Sequence, residues 1–185
     1  MGQPRAHAHR AVGVRGLYLN KACPDPADSP AASEYPPKLA AIVALFEGLP
    51  EDEKRETLIS YADQAARCAP VEGETYDLED VRKDEECTDT VGIFLKVASD
   101  RRVRFRVSLG PQVQILTRAM TSILCKGLDS SSIETVMELP ADFVPRIVGG
   151  QLVRVRSQTV YYVLTRMKSA CRAFLNRERA ADAAS

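Results

Sequence analysis

The sequence has no tryptophan and only two histidines, His7 and His9, which both lie near the N-terminus. Catalysis by Ser–His or Cys–His pairs needs an imidazole beside the nucleophile. Residues 10–185 contain no histidine. Catalysis of that kind is therefore excluded for the part of the chain whose sequence has the periodicity of a folded domain.

Cysteines are few and widely spaced. The five are Cys23, Cys68, Cys87, Cys125 and Cys171, and no two of them form a CxxC motif. Zinc knuckles and disulfide frameworks need closer spacing, so we predict neither, and we predict no metal or other cofactor. Three of the cysteines, Cys68, Cys125 and Cys171, fall on apolar helical faces, which favours a place in the core.

Neither sign of charge prevails, since 25 lysines and arginines balance 25 aspartates and glutamates. Proteins that bind nucleic acids or membrane surfaces usually carry a basic excess, so we predict no nucleic-acid partner. A membrane-spanning helix needs roughly 20 consecutive apolar residues, and no apolar run in the sequence approaches that length. The length of 185 residues suits one domain with flanking segments.

Residues 1–24 lack aspartate and glutamate altogether but carry Arg5, Arg10, Arg15 and Lys21. The next segment, CPDPADSPAASEYPP, is rich in proline, alanine and serine. Two interpretations of residues 1–35 stay open. An organellar transit peptide is typically basic and poor in acids, and it would direct the protein to an organelle, a plastid in preference to a mitochondrion. A disordered basic leader without a targeting role would leave the protein in the cytoplasm.

Two amphipathic helices are predicted at the start of a domain spanning residues 36–177. The first begins at Pro37 and ends at Gly48, and its apolar face consists of Leu39, Ile42, Val43, Leu45, Phe46 and Leu49. The second opens with acidic residues, which stabilise the positive end of a helix dipole. Its predicted buried face consists of Leu58, Ile59, Ala62, Ala65 and Ala66. Residues 70–80 are predicted to form an acidic loop.

From Thr90 the pattern changes to that of β-strands. The runs TVGIFLKVAS and RVRFRVSL are separated by Asp100 and Arg101, which predicts an antiparallel hairpin. In the second run three apolar residues alternate with Arg102, Arg104 and Arg106. A period of two predicts one buried face and one basic face. The basic face fits either a solvated surface or a surface that binds an acidic partner.

The remaining sequence predicts helices. One helix follows the hairpin and ends near Gly127, and two short helices extend to about Ile147. After a break at Gly149 and Gly150, a long final helix capped by Ser157 is predicted, with a frayed tail over residues 178–185. Helices packed on one face of a small antiparallel sheet constitute an α+β fold.

The order of these elements resembles that of the SufE family of sulfur-transfer proteins, over residues 39–175. LAAIVALFEGLP is similar to the opening of the family's paired N-terminal helices, and QVQILTRAMTSIL to the helix after its hairpin. SSIETVMELPADFVPRI is similar to the linked short helices. LVRVRSQTVYYVLTRMKSACRAFL resembles the Ser-Arg-x-x-Gly segment that begins the last helix. The resemblance implies a SufE-like α+β fold.

The segment DVRKDEECTDTVGI resembles the family segment in which Val, Gly, Cys, any residue, Ser, any residue, Val and Trp follow one another. In the family, this cysteine takes a sulfane sulfur from the persulfide of a cysteine desulfurase and passes it to an iron–sulfur cluster scaffold. The resemblance implies that Cys87 is the persulfide acceptor. It also implies a cysteine desulfurase and an iron–sulfur scaffold protein as partners, and a carrier that needs no cofactor.

The sequence departs from the family pattern beside this cysteine. Glu86 stands where the family has glycine, Asp89 replaces its serine and Gly92 replaces its tryptophan, whereas Arg156 matches the family arginine. Negative neighbours disfavour the thiolate form of a cysteine, and Arg156 would offset part of that charge if it approached Cys87. We therefore predict Arg156, Glu86 and Asp89 as the residues that contact the substrate or partner.

A second function, from another class, stays open: a SufE-like fold that has lost sulfur transfer and serves as a structural or interaction subunit of a larger organellar complex. Persulfidation of Cys87 by a desulfurase would distinguish the two. The acidic group Asp80, Glu85 and Glu86 has no histidine or second cysteine nearby. A solvated acidic loop is therefore favoured over metal binding or acid–base chemistry.

Overall fold

A computed structural model describes residues 35–83, 90–149 and 158–184. The described elements follow one another in the order α1 (Pro37–Glu47), α2 (Glu51–Asp63), a 3₁₀ helix (Gln64–Cys68), β1 (Leu78–Lys83), β2 (Thr90–Val97), β3 (Arg102–Leu109), α3 (Ile115–Leu128), β4 (Ser131–Ser132), α4 (Ile133–Glu138), α5 (Phe143–Val148) and α6 (Gln158–Ala183). The predicted α+β class is confirmed.

The four strands form one antiparallel sheet in the order β1-β2-β3-β4. The predicted hairpin is confirmed as β2 and β3, whose register runs from Val91 opposite Leu109 to Val97 opposite Val103. Strand β1 was not predicted, and the prediction that residues 70–80 form a loop is wrong where β1 begins at Leu78. The short β4 pairs only with Arg102 and Val103.

One face of the sheet is apolar and packs against helices. Its inward side chains are Val91, Ile93 and Leu95 from β2 and Val103, Phe105 and Val107 from β3, all of them buried. Helix α3 contacts β3, helix α6 contacts β1 and β2, and helices α1 and α2 pack against α3. The period of two in each strand thus separates the core from the basic face.

The start and end of α1 and the start of α2 agree with the local sequence. Helix α1 starts at Pro37 and is closed by Gly48, and α2 starts with three acidic residues in its first turn. The predicted buried face of α2 is wrong at Ile59, which is 46% exposed, and at Ala66, which is also exposed. The α-helix gives way to a 3₁₀ helix at Gln64, so the 3.6-residue period does not continue to Ala66.

The described structure extends beyond both predicted ends of the domain. Tyr35 lies one residue before the predicted start, yet it is buried in the core and its ring meets Phe143 edge-on at 6.1 Å. Helix α6 continues to Ala183, where a frayed tail was predicted after Arg177. Glu178 pairs with Arg101 at 3.0 Å within that continuation. Among the described helices, none combines the length and the apolar character needed to cross a membrane.

Candidate functional site

The residues predicted to carry the chemistry lie outside the described residues. Glu86, Cys87 and Asp89 belong to residues 84–89, and Arg156 belongs to residues 150–157. The structure does describe the ends of β1 and β2, which adjoin the first of these segments in the sequence, and the side chains that pack against these strands.

Strands β1 and β2 pair up to the point where the described chain stops and resumes. Their last pair is Lys83 opposite Thr90. Residues 84–89 therefore connect the ends of two neighbouring antiparallel strands. Strand β1 is an edge of the sheet, and Thr90 is exposed.

A buried arginine of helix α6 binds both of these strands. Arg166 is only 2% exposed. Its Nη1 donates a hydrogen bond to the carbonyl oxygen of Val91 on β2 at 2.7 Å, and its Nη2 donates one to the carbonyl oxygen of Asp80 on β1. Its Cζ lies 5.6 Å from the centroid of the Tyr162 ring. One guanidinium group thus joins the final helix to the two strands that border residues 84–89.

The charge of this arginine is balanced by Asp80. Its Nε donates to Oδ2 of Asp80 at 3.0 Å, and Nη2 lies 2.9 Å from the same oxygen. Asp80 also accepts a hydrogen bond from Arg82 at 3.0 Å. The prediction that Asp80 belongs to a solvated acidic loop is wrong, because its carboxylate is turned towards the helices on the inward side of β1, opposite Ile93.

Neither strand β1 nor Arg166 was predicted from the sequence, because in both cases a charged residue occupies an inward position. The inward positions of β1 include Asp80 and Arg82, so LEDVRK lacks the apolar alternation that marks a half-buried strand. The position of Arg166 in the sequence of α6 could have indicated a buried ion pair. Arg166 stands on the apolar stripe of α6, three residues after Val163 and four before Ala170, both of which are buried. A cation at such a position needs a buried anionic partner.

The space beside Gly92 is filled by a neighbour on the same strand. A Cβ atom at this position would lie 2.9 Å from Cε2 of Phe94 and 3.1 Å from Cγ2 of Val81, and it would overlap Oγ of Ser108. The Phe94 ring also packs on Tyr76, with 5.3 Å between the ring centroids. The outer face of the sheet therefore has an apolar cover at this point although the chain lacks the tryptophan of the family pattern.

The arginines of β3 all bond within the protein. Nη1 of Arg102 donates to the carbonyl oxygen of Ser130 at 2.7 Å, Nε of Arg104 to Asp129 at 3.3 Å, and Nη1 of Arg106 to the carbonyl oxygen of Arg67 at 2.6 Å. Arg102 and Arg104 remain exposed. The basic face of the sheet is thus partly occupied by intramolecular contacts.

Three of the cysteines are described, and all three are buried and free of disulfides, as predicted for core residues. Cys171 is fully enclosed on α6, and burial raises its pKa to about 12. Cys68 and Cys125 differ from it because both line a cavity. No group of three or more potential metal ligands occurs among the residues that the structure describes.

Comparisons with known proteins bear on the fold. No model of a known protein family matches the chain, and neither does any curated protein. Among solved structures, the chain is similar to the solution structure of a hypothetical protein from Thermus thermophilus, with a TM-score of 0.63 and 24% sequence identity. The similarity covers 77% of this chain and 98% of that one. The likeness is one of fold.

Proposed function

We propose that the protein accepts sulfur from a cysteine desulfurase at Cys87 and activates that enzyme in iron–sulfur cluster assembly. The observation that carries the proposal is the position of Cys87 in a segment that joins two paired strands of an α+β domain, together with the resemblance of its sequence to SufE proteins. A sulfur acceptor must bring its thiol into the active site of another protein. A connection between two strand ends suits this task because its backbone need not remain in the ladder.

The proposed reaction is a thiol–disulfide type exchange. The Cys87 thiolate attacks the outer sulfur of the persulfide on the desulfurase cysteine, and a new S–S bond forms as the old one breaks. The desulfurase cysteine leaves as a thiolate and takes up a proton, and Cys87 becomes the persulfide. No electrons are gained or lost overall, and no cofactor takes part. Transfer to a scaffold protein repeats the same exchange with Cys87 as the donor.

Arg166 supports the proposal as a positioning residue. Its hydrogen bonds to Asp80 and Val91 join β1 and β2 to helix α6. The two strand ends are thereby tied to the core, so a change in the conformation of residues 84–89 need not separate the strands. This role is mechanical, because the charge of Arg166 is already compensated by Asp80.

The acidic residues beside Cys87 set the expected rate. Glu86 and Asp89 disfavour the thiolate, which is the attacking species. We expect transfer to be slow in the free protein and faster where a basic surface of the desulfurase meets these carboxylates. Replacing both residues by the family's own, in a Glu86→Gly/Asp89→Ser variant, should therefore raise the rate of transfer.

Timed persulfide transfer from a desulfurase tests the proposal on the full chain. We expect transfer to the wild-type protein, none at this site in Cys87→Ser, and wild-type transfer in the control Cys171→Ser, whose thiol is enclosed in the core. Failure of transfer to wild type with recovery in the double variant would support the other function, a fold retained as a binding subunit. Failure in every variant would contradict sulfur transfer altogether.

A further inference from the structure

A cavity of about 460 Å³ lies between β3, the 3₁₀ helix and helix α3. Two thiols, those of Cys68 and Cys125, line it. Its cationic lining side chains are Lys38, Arg67, Arg104, Arg106 and Lys126. Among the lining residues in the described part of the chain, Asp129 supplies the single carboxylate, so five positive charges face one negative charge.

The cations of this cavity are incompletely neutralised. Asp129 pairs with Lys38 at 2.6 Å and with Arg104 at 3.3 Å, so one carboxylate is shared between two cations. Nη1 of Arg106 is bound to the carbonyl oxygen of Arg67, but its Nε is buried without a hydrogen-bond partner among the described residues. A buried N–H of this kind is costly unless it finds an acceptor. Because five cationic side chains and one carboxylate line the cavity, it favours an anionic ligand that has oxygen acceptors.

The thiols of Cys68 and Cys125 influence each other's acidity. Cys68 ends the 3₁₀ helix, Cys125 lies on α3, and each is exposed by less than a tenth of its surface. A hydrogen bond from Cys125 is the main cause that lowers the pKa of Cys68 to about 6, with help from Ser122, Lys126 and Arg106 and against the effect of burial. The same hydrogen bond, together with burial, raises the pKa of Cys125. Cys68 is therefore the more acidic thiol of the pair.

A pair of buried cysteines is often an inert part of a core. Cys171 represents that case in this protein, because it is fully enclosed and burial raises its pKa. Reactive cysteines instead occur in electropositive surroundings that a reagent can reach. Cys68 meets both conditions: its thiol faces an open cavity, and Arg106 and Lys126 face it from β3 and α3.

We propose that Cys68 and Cys125 form a redox-active dithiol that reacts with small anionic disulfides of the glutathione disulfide type, which the cationic cavity binds through their carboxylates. The activity proposed for this pair does not depend on sulfur transfer at Cys87.

The reaction has two steps. First the Cys68 thiolate attacks one sulfur of glutathione disulfide, and the S–S bond of the reagent breaks. A mixed disulfide forms at Cys68 and one glutathione thiolate leaves. The thiol of Cys125 then loses its proton to water and attacks Cys68 Sγ, which releases the second glutathione. The two protein thiols are oxidised to one disulfide, and one glutathione disulfide is reduced to two glutathione molecules.

The experiment uses the full chain in a Cys23→Ser/Cys87→Ser background, so that the outcome is separate from any sulfur transfer at Cys87. The protein is reduced, incubated with glutathione disulfide, and analysed for released glutathione and for disulfide-linked peptides. We expect two glutathiones released for each chain and a Cys68–Cys125 crosslink. Cys125→Ser and Cys125→Ala should each stop at a mixed disulfide on Cys68, and Cys68→Ser should not react. Cys171→Ser should behave as the background protein does.

A second experiment tests the cationic side chains that line the cavity. The rate with glutathione disulfide is divided by the rate with the uncharged 2-hydroxyethyl disulfide. Because both reagents react with the same thiolate, this ratio does not depend on how a variant changes the thiolate itself. Arg106→Gln should lower this ratio roughly tenfold, as expected when a local cation no longer attracts an anionic reagent. The control Arg172→Gln, on the exposed side of α6, should leave it unchanged.

Several results would overturn the proposal. A mixed disulfide that persists in the background protein would contradict a resolving role for Cys125. Equal reaction of Cys68→Ser and the background protein would contradict attack by Cys68. An unchanged ratio of rates in Arg106→Gln would contradict recruitment of the anion by the cavity.

Discussion

Oδ2 of Asp80 on β1 accepts a hydrogen bond from Nε of Arg166 on α6 at 3.0 Å, although 86 positions separate the two residues in the sequence. Asp80 is three-quarters buried at its side chain and Arg166 almost entirely so. The ion pair allows an edge strand with charged inward positions to pack against an apolar helix. It also joins the final helix to the strands on either side of Cys87, the residue proposed to carry sulfur.

Replacing Arg166 by methionine should destabilise the domain. The substitution keeps much of the volume but removes the Arg166 donors from Asp80 and from two backbone carbonyls, and leaves the Asp80 carboxylate with its hydrogen bond from Arg82. Removing one partner of a buried ion pair costs about 3–5 kcal/mol. Because Asp80 keeps some access to water, we expect the lower end of that range or slightly less, measured by chemical denaturation.

Arg172→Met on the exposed side of the same helix is the matched control. It should change the free energy of unfolding by less than about 0.5 kcal/mol. Equal stability of the two variants would show that the Asp80–Arg166 pair does not hold β1 to the domain.

Tyr35 should set the N-terminal limit of the stable domain. Its hydroxyl donates to Asp142 at 2.7 Å, and Arg146 lies 5.3 Å from its ring centroid and donates to the same hydroxyl. Removing residues 1–35 discards this buried ring, whereas removing residues 1–33 keeps it. We expect the longer truncation to unfold about 2–4 kcal/mol more easily, in line with the loss of a buried aromatic side chain.

The full-length variant Tyr35→Ala distinguishes the effect of losing the Tyr35 ring from the effect of shortening the chain. It should match the longer truncation in thermal and chemical denaturation. If both truncations melted at the same temperature as the whole protein, Tyr35 would not belong to the cooperative core.

Gly92→Ala should destabilise the sheet. The added methyl group would overlap Oγ of Ser108 and the edge of the Phe94 ring on the outer face, so these side chains would have to shift. Overpacking of this kind costs about 1–3 kcal/mol. Gly48→Ala is the control, because the nearest atoms to its added Cβ are carbonyl oxygens at 3.6 Å and its backbone is already helical.

We expect Gly48→Ala to be neutral or stabilising by up to about 1 kcal/mol. Chemical denaturation measures both variants. Equal loss of stability in the two would contradict the close packing described around Gly92. A variant that combines Gly92→Ala with Phe94→Ala should lose less than the sum of its parts, since the two changes share one space.

Alkylation of Cys68 should depend on pH with a midpoint near 6. A thiol is reactive as the thiolate, so the rate follows the deprotonated fraction. With the pKa lowered to about 6, the rate rises as pH increases through that value and levels off above roughly pH 7. An ordinary thiol with a pKa of about 8.5 would still be gaining rate at that point.

Cys125, Lys126 and Arg106 act directly on this thiol. The other charged groups that line the same cavity are Lys38 from α1, Arg67 from the 3₁₀ helix, Arg104 from β3 and Asp129 at the end of α3. Guanidinium groups stay charged throughout this range, so the change in rate reports on the thiol pair. Iodoacetamide labelling followed by peptide mass analysis gives the profile, with Cys171 as an unreactive control. A midpoint near 8.5 would contradict the lowered pKa of Cys68.

Much of the fold follows from local sequence patterns. The start and end of α1, the acidic start of α2, the β2–β3 hairpin and the alternation of β3 were predicted, because capping, helix dipoles and the two-residue period act within a few residues. Strand β1 was not, because pairing with β2 and an ion pair to a distant helix stabilise it in spite of its charged inward positions. The exposure of Ile59 likewise follows from packing that the helical period alone does not determine.

For the candidate sites, too, some features follow from the sequence and others depend on the tertiary structure. The amino-acid sequence by itself determined the α+β class, the absence of histidine from the domain and the position of Cys87 before the first strand of the predicted hairpin. Only the tertiary structure decided that Arg166 lies between Asp80 and Val91, and that Cys68 meets Cys125 beside Arg106. The physical reason is the distance along the chain between the groups that interact. Secondary structure responds to neighbours along the chain, whereas the charge state of a buried thiol or guanidinium depends on groups that the fold brings together from distant parts of the sequence.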